Sequence, residues 1–213
     1  MKVNLFGVTS PTGKIVLQNL LAENHLVTVI VRNPDAVSIR HQNLTVVKGD
    51  VFSPSSFEES IKGIDLVVSI LGTGSNNQST TVYSVGGQNI LSAMRKAGIK
   101  KLITLTSGGV QKDDTVIQKS FFYKYVGLWY LRHIYADMTL WESTLEKSKD
   151  IDWICIRPTY LRNKVLTKKY RVNKTYSPDK GWKIPRTDLA DFITKQATSN
   201  ESIHEKTCNC LLK

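Results

Sequence analysis

The sequence has little cysteine, no long apolar run and a shortage of carboxylates, and each lack excludes something. Three cysteines in 213 residues cannot staple a disulfide framework. Cys155 lies in the apolar run Trp153-Ile-Cys-Ile156 and reads as a small core residue. Cys208 and Cys210 form a Cys-x-Cys with no second cysteine pair and no histidine pair beside it. That excludes the usual zinc spacing and suggests a terminal strand whose two cysteines share a face, so no metal is expected. No stretch approaches the roughly 18 uninterrupted apolar residues of a membrane span. Met1 runs straight into a strand-like segment that Gly7 and Gly13 interrupt, unlike a signal peptide. A cytoplasmic chain with no membrane association is therefore expected, as a monomer or a small homo-oligomer. Against 29 Lys and Arg there are only 18 Asp and Glu, a net charge of +11. Its densest part is Arg162, Lys164, Lys168, Lys169, Arg171 and Lys174. With neither zinc spacing nor a helix-turn-helix, that part reads first as a solvated basic loop. An electrostatic lip for an anionic substrate comes second, and nucleic acid a distant third.

What is present is a repeated strand–helix pattern. Lys2 to Phe6 reads as a buried strand, Gly7-Val-Thr-Ser-Pro-Thr-Gly13 as a glycine turn, Lys14 to Leu21 as a helix and Leu26 to Val31 as a second strand. A strand, turn, helix and strand within about thirty residues is the unit that binds a dinucleotide, with a pyrophosphate at the helix N-terminus. The fingerprint is imperfect, because the place of its middle glycine falls on Ser10 or Pro11.

Further strands are expected at Leu44–Lys48, Ile64–Leu71, Lys101–Thr106, Ile151–Ile156 and Lys206–Leu212. Helices are expected at Ser53–Ile61, Val82–Ala97 with Gly98 as C-cap, roughly Ile117–Lys147, and Thr187–Ile193. Leu161 to Lys183 is looser, with room for short strands. Strands alternating with helices imply an α/β fold with a doubly wound, mostly parallel, Rossmann-like sheet. Residues 1–213 form one domain, with a small substrate-side segment at about 161–185.

Ligands of such sheets bind beyond the carboxyl ends of the strands. That rule gathers Gly7 to Gly13, Arg32, Asp50, Leu71-Gly-Thr73, Ser107 and Pro158 on one edge. Arg32 ends the second strand, where NAD enzymes usually place a carboxylate for the ribose hydroxyl; an arginine suits a 2′-phosphate, so NADP is favoured over NAD. Asp50 could accept from an adenine amino group or simply form a turn. Ser107 could hydrogen-bond nicotinamide or substrate. The helix after it has no tyrosine followed four residues on by lysine from Tyr123 to Tyr135; Tyr160 and Lys164 have the spacing but lie beyond the sixth strand. Carbonyl reduction by a tyrosine–lysine pair is thereby disfavoured. The aromatic residues Phe121, Phe122, Tyr123, Tyr125, Trp129, Tyr130 and Tyr135 read first as core or oligomer packing and second as a face for a planar substrate.

Leu71-Gly-Thr73, Ser79-Thr-Thr-Val82, Asn89 to Met94, Gly98 to Leu102 running into Ser107, and Asp152 to Pro158 together resemble the atypical short-chain dehydrogenase/reductases with an NAD(P)H-binding, NmrA-like domain. Within that group the resemblance is greatest to the biliverdin-IXβ reductase/flavin reductase family. It covers nearly the whole chain and thins after Thr159. The resemblance implies that Gly7, Thr9, Ser10, Thr12 and Gly13 surround the pyrophosphate and Arg32 the 2′-phosphate. Asp50 and Val51 would face the adenine, Leu71, Gly72 and Thr73 the adjoining ribose and nicotinamide side, and Ser107 with Pro158 the nicotinamide. Ser107 and Thr159 are the candidate catalytic positions. Thr159 stands where flavin-reductase members carry a histidine, which puts proton delivery of that kind in doubt. Three readings follow: an NADPH-dependent reductase of a small planar, anionic acceptor (flavin, bilin or quinone-like); a non-catalytic dinucleotide sensor; and a sugar-nucleotide epimerase or dehydratase. The last lacks both the tyrosine–lysine pair and a sufficient C-terminal lobe.

Overall fold

The computed structural model describes residues 1–73, 78–114, 127–174, 176–178, 182–199 and 201–211. Its centre is an eight-stranded sheet in the order β3-β2-β1-β4-β5-β6-β10-β8. Six of those strands are β1 (Lys2–Phe6), β2 (Leu26–Val31), β3 (Leu44–Lys48), β4 (Leu66–Ser69), β5 (Lys101–Leu105) and β6 (Asp152–Pro158). They pair in parallel, as does β10 (Glu205–Leu211) with β6, whereas β8 (Tyr170–Lys174) closes the edge antiparallel to β10. Strand order reverses between β1 and β4, the point at which a crevice opens in a doubly wound sheet.

The near-continuous apolar strands are explained by cover on both faces. Alternate residues divide: Val3, Leu5, Val29, Val68 and Ile154 join one core, and Phe6, Ile30, Val67, Leu102 and Trp153 the other. Helices α1 (Pro11–Ala22) and α6 (Arg186–Thr198) cover the first face. Helices α3 (Ser84–Ala97) and α5 (Arg132–Lys147) cover the second, with α2 (Glu58–Ile61) beside them. A Cβ on Gly87 of α3 would lie 2.6 Å from the Trp141 ring of α5, so a glycine is required where those helices touch.

Several expected boundaries move, each for a local reason. Helix α1 begins at Pro11 rather than Lys14, because Ser10 caps it and Pro11 supplies the preset φ of a first helical residue. The Ser53–Ile61 helix divides into a 3-10 turn at Pro54–Ser56 and the single turn of α2. Among the described residues, the expected Ile117–Lys147 helix is α4 (Leu128–Tyr130) and α5, separated at Leu131; Phe121, Phe122, Tyr123 and Tyr125 lie outside the described residues. The segment expected to be loose from Leu161 to Lys183 holds β8, and β7 (Tyr160–Arg162) and β9 (Lys183–Pro185) straddle its two ends and pair with each other in a separate parallel ribbon.

Strand β6 continues through Arg157 and Pro158, two residues beyond the expected end at Ile156. The guanidinium is buried and finds its partner inside. Arg157 Nε donates to Glu142 Oε1 at 2.9 Å, a second guanidinium nitrogen pairs with Glu142 Oε2, and Nη1 reaches Gln111 at 3.2 Å. The Thr106 hydroxyl donates to the same Glu142 Oε1 at 2.7 Å. This network ties the end of β5, α5 and β6 together. Burial, and next the Glu142 charge, push the thiol of neighbouring Cys155 well up, so it stays protonated. Replacing Glu142 by leucine leaves Arg157 buried without a counter-charge. Chemical denaturation should then show a loss of about 3–5 kcal/mol, and a loss under about 1 kcal/mol would mean that water reaches the guanidinium.

Candidate functional site

The carboxyl ends of β1, β4, β5 and β6 open into a cavity of about 800 Å³, lined by residues 10–12, 70–73, 105–109 and 158–161, with Tyr83, Tyr135, Met138 and Trp182 among its other walls. This is within the range of small-molecule and cofactor sites.

Its floor is the turn after β1. Gly7 has φ +81°, and a Cβ there would meet Ile70 O at 2.0 Å. A Cβ on Gly13 would meet Gly7 O at 2.3 Å. Both glycines are thus imposed by backbone approaching backbone. Ser10 accounts for the departure from the fingerprint: its Oγ accepts the Gly13 N–H at 3.0 Å and donates to Gly7 O at 2.9 Å. Of the first three helical positions, Pro11 therefore brings no N–H and Gly13 has given its N–H to Ser10. Thr12 retains a donor with no acceptor inside the helix. The cradle for an anion is present, with one donor engaged by its own cap.

Eight of the expected residues line the cavity: Ser10, Thr12, Leu71, Gly72, Thr73, Ser107, Pro158 and Thr159. Gly7 and Gly13 back the turn. Thr9, Arg32, Asp50 and Val51 are not on its wall. Arg32 is exposed at the end of β2, beside the end of β3, where Gly49 N–H donates to Val31 O at 2.9 Å. Asp50 serves as a turn residue: its Oδ1 accepts the Phe52 N–H at 3.0 Å, and its own N–H donates to Ser56 Oγ at 2.9 Å. Val51 is buried, with its carbonyl accepting from Asn89 Nδ2 at 2.8 Å. Ser107 caps a short 3-10 turn, its hydroxyl accepting the Gly109 N–H at 3.2 Å, so the hydroxyl proton remains available to donate.

The walls hold residues that the sequence left unassigned. Tyr83 is fixed by Asp137 of α5, which accepts the N–H groups of Tyr83 and Ser84 at 2.9 and 3.1 Å and also the Ser84 hydroxyl. This carboxylate from a second helix does the work of a cap for α3. A Cβ on Gly72 would lie 3.7 Å from the Tyr83 hydroxyl, which places the phenol beside the end of β4. Burial, then the nearby Asp137 and Tyr135 charges, push the Tyr83 phenol upward, so it is a neutral donor across the physiological range. Tyr135 and Met138, one turn apart on α5, form another wall; only the aromatic spacing around Tyr135 hinted at that. Trp182 and Arg186 carried no signal beyond their residue types. Among the described residues, none of those lining the cavity is Asp, Glu, His or Lys. Nor do the described residues hold a group of three side chains fit for a metal ion, or a helix long and apolar enough to cross a membrane.

A family profile described as NAD(P)H-binding matches residues 7–200. The chain is 28% identical over 107 residues to the photosystem II assembly factor Ycf39 of Synechocystis, covering 48% of this chain and 32% of that protein. It is 28% identical over 109 residues to YwnB of Bacillus subtilis, covering 51% of this chain and 48% of that one. The matched stretch thus spans half or less of each of these curated relatives. Among solved structures, the oxidoreductase ylbE of Lactococcus lactis superposes with a TM-score of 0.84 at 21% identity, over 100% of this chain and 92% of that one. A short-chain dehydrogenase/reductase of Veillonella parvula in complex with NADP gives 0.74 at 14% identity, over 98% and 94%. At those identities the structural matches establish the shared fold.

The turn makes two distinguishable demands. Ser10→Ala removes a helix cap and should cost about 1 kcal/mol. Gly7→Ala brings a Cβ onto the Ile70 carbonyl in a left-handed conformation and should cost more, about 2 kcal/mol or above. Thermal or urea unfolding of both variants checks the order, and equal costs would mean that the turn relaxes away from β4.

Proposed function

The chain belongs to the NAD(P)H-binding family, and from that premise we propose that it is an NADPH-dependent reductase of a conjugated, planar acceptor of the flavin, bilin or quinone type. The observation that carries this reading is the composition of the cavity wall. It offers aromatic and aliphatic surface, hydroxyls and backbone groups, and among the described residues no carboxylate, imidazole or lysine amine. A conjugated acceptor disperses incoming negative charge over its own ring system, so orientation matters more than a strong acid–base pair, and water can deliver the proton. Tyrosine–lysine carbonyl chemistry is not supported: on the cavity wall Tyr83 and Tyr135 have Gly87 and Thr139 four residues on, and Tyr160, which Lys164 follows at that spacing, lies in the extended β7, where the two do not stack as on a helix.

The residues present fit the cofactor. The tight turn that Gly7 and Gly13 permit sets the start of α1 at the cavity, where Thr9, Ser10 and the Thr12 N–H would meet a diphosphate. Arg32, exposed and without an ion-pair partner among the described residues, suits a 2′-phosphate. Asp50 retains lone pairs for an adenine amino group beside Val51, and Leu71, Gly72, Thr73 and Pro158 supply the surface for the ribose and nicotinamide. NADPH, when bound, supplies a hydride. Ser107 directs its free hydroxyl proton at the nicotinamide or the acceptor, and Thr159 offers a hydroxyl where related flavin reductases carry histidine. Tyr83 adds a neutral phenol donor, and Tyr135 and Met138 an apolar face for the acceptor ring. The ribbon of β7 and β9, which flanks the segment expected on the substrate side, closes the acceptor side. The likeness to the biliverdin-IXβ reductase/flavin reductase group supports the same acceptor class.

The test is NADPH oxidation by the purified protein with FMN, riboflavin, biliverdin and a small quinone offered in turn. Turnover with at least one acceptor is expected; NADPH binding with none reduced would overturn the reductase and favour a dinucleotide sensor. Arg32→Ala should raise KM for NADPH about tenfold or more while leaving that for NADH within about twofold. Ser10→Gly frees the Gly13 N–H for the diphosphate and should tighten NADP(H) about two- to tenfold, with a stability cost of only a few tenths of a kcal/mol. Weaker binding would assign the Ser10 hydroxyl itself to the phosphate.

A further inference from the structure

Arg186 is the one charged side chain among the described residues that line the cavity. It is the first helical residue of α6, directly after Pro185, which pairs with Arg162 where the β7–β9 ribbon ends. Its nearest polar contact is neutral: Nη1 donates to Asn163 Oδ1 at 2.8 Å. Among the described residues it forms no ion pair. The two carboxylates nearest in sequence are committed elsewhere. Asp188 is fully buried and accepts the Thr167 N–H, the Thr167 hydroxyl and the Lys168 N–H at 2.8, 2.6 and 2.9 Å. Asp191 takes the Tyr170 hydroxyl at 2.8 Å and Lys195 at 2.7 Å.

These bonds also hold Arg186 in place. The first turn of α6 is fastened to the loop after β7 at three successive residues: Arg186 to Asn163, the Thr187 hydroxyl to Lys164 O at 2.9 Å, and Asp188 to Thr167 and Lys168. A guanidinium has five N–H donors in a planar fork. One is used on a neutral amide oxygen, and the half-buried head faces a cavity otherwise free of charge. A half-buried cation of this kind, with no carboxylate beside it among the described residues, is stabilised by an anion that arrives with the ligand.

We infer that Arg186 binds the anionic group, carboxylate or phosphate, of the acceptor, and that this cavity selects acceptors with one anionic arm at that end. The inference rests on the reductase reading for the word acceptor, but the anion site is testable without turnover. The cofactor's diphosphate is a second source of the same chemistry, because α6 packs against α1. The acceptor is favoured because Arg186 follows directly on β9 and is tethered to Asn163 just after β7, the ribbon that also brings Tyr160 and Leu161 to the cavity wall, whereas the start of α1 has donors of its own.

FMN and riboflavin, identical but for one phosphate, are the probes. Their binding to the protein saturated with NADP+ is followed by flavin fluorescence, and NADPH binding is titrated separately. The wild type is expected to prefer FMN about tenfold or more. Arg186→Gln should remove that preference while leaving riboflavin and NADPH within about twofold, and Arg186→Lys should retain part of it. Asn163→Ala, which removes only the tether, should weaken FMN more than riboflavin. Equal FMN and riboflavin affinities in the wild type, or no binding of either, would overturn the assignment. So would an Arg186→Gln variant that loses NADPH affinity instead, which would give the arginine to the cofactor. A parallel loss of both flavins in the Arg186 and Asn163 variants would overturn it too, reducing the arginine to a structural tie. If no acceptor is reduced yet FMN preference follows Arg186, the reductase reading falls and the anion site stands.

Discussion

Everything at the site depends on how closely two pieces of backbone approach at the point where strand order reverses. The Gly7 carbonyl is close enough to Gly13 to exclude a Cβ, and Gly7 itself is pressed against the Ile70 carbonyl at the end of β4. This brings the start of α1 down onto the crevice between β1 and β4, so the dipole end of the helix and the cavity coincide. A side chain at either position would lift the helix, widen the crevice and move residues 70–73 with it. The same approach gives Ser10 its place: the turn is so tight that the hydroxyl reaches both Gly7 O and Gly13 N–H. The site thus trades one anion donor for a cap that stiffens its own floor.

Apart from Arg186, charge is kept off the described wall of the cavity and concentrated just beneath it. Glu142, Arg157, Thr106 and Gln111 form a closed network, and Lys206 reaches Glu142 at 3.5 Å from the far side. Buried pairs of this kind add little net stability but are costly to break. They therefore act mainly to fix the relative placement of β5, α5 and β6, whose ends carry Ser107, Tyr135, Met138 and Pro158. Asp137 does the same between α5 and α3, holding Tyr83 against the opposite wall. The cavity is consequently charged in its supports and largely apolar on its surface, with hydroxyls set into it. That combination suits a ligand which must be held flat and kept from water, and it does not suit one that must be protonated by a side chain.

Much of this was legible in the sequence, and what was not has identifiable causes. Strands β1, β2 and β4 to β6 and their parallel pairing could be read because strands covered on both faces carry apolar residues at nearly every position. The turn from Gly7 to Gly13 could be read because close backbone approach needs glycine. Arg157 was misjudged as a strand end, since a charged residue inside β6 is tolerated only by a partner 15 residues away on another element. Asp50 had two readings open, and the Phe52 N–H accounts for the turn without removing the other. Tyr83, Trp182 and Arg186 were invisible because each reaches the cavity through the path of a loop or the first residue of a helix, where no periodicity applies. Asp188 carried a plain helix-start signal, but its actual bonds run to a loop some twenty residues earlier.

The overall charge illustrates why composition pointed toward anions without locating them. Many of the cations face a carboxylate: Arg95 meets Asp150 at 2.7 Å, Lys96 meets Glu58 at 2.7 Å, Lys62 meets Glu59 at 2.8 Å, and Lys174 pairs with Glu205. In the Arg95–Asp150 pair the guanidinium hydrogen bonds hold the carboxyl down at about 2, yet the pair is exposed, and screening leaves it little weight. A net +11 raises the local concentration of anionic ligands and is felt at a distance, but it falls off within a Debye length of roughly 8 Å at physiological salt and chooses no orientation. Orientation needs a cation that is fixed in place and free of competing carboxylates. The basic stretch from Arg162 to Lys174 supplies the field. Arg186, tethered to the start of that same stretch through Asn163, meets the stricter condition at the cavity wall.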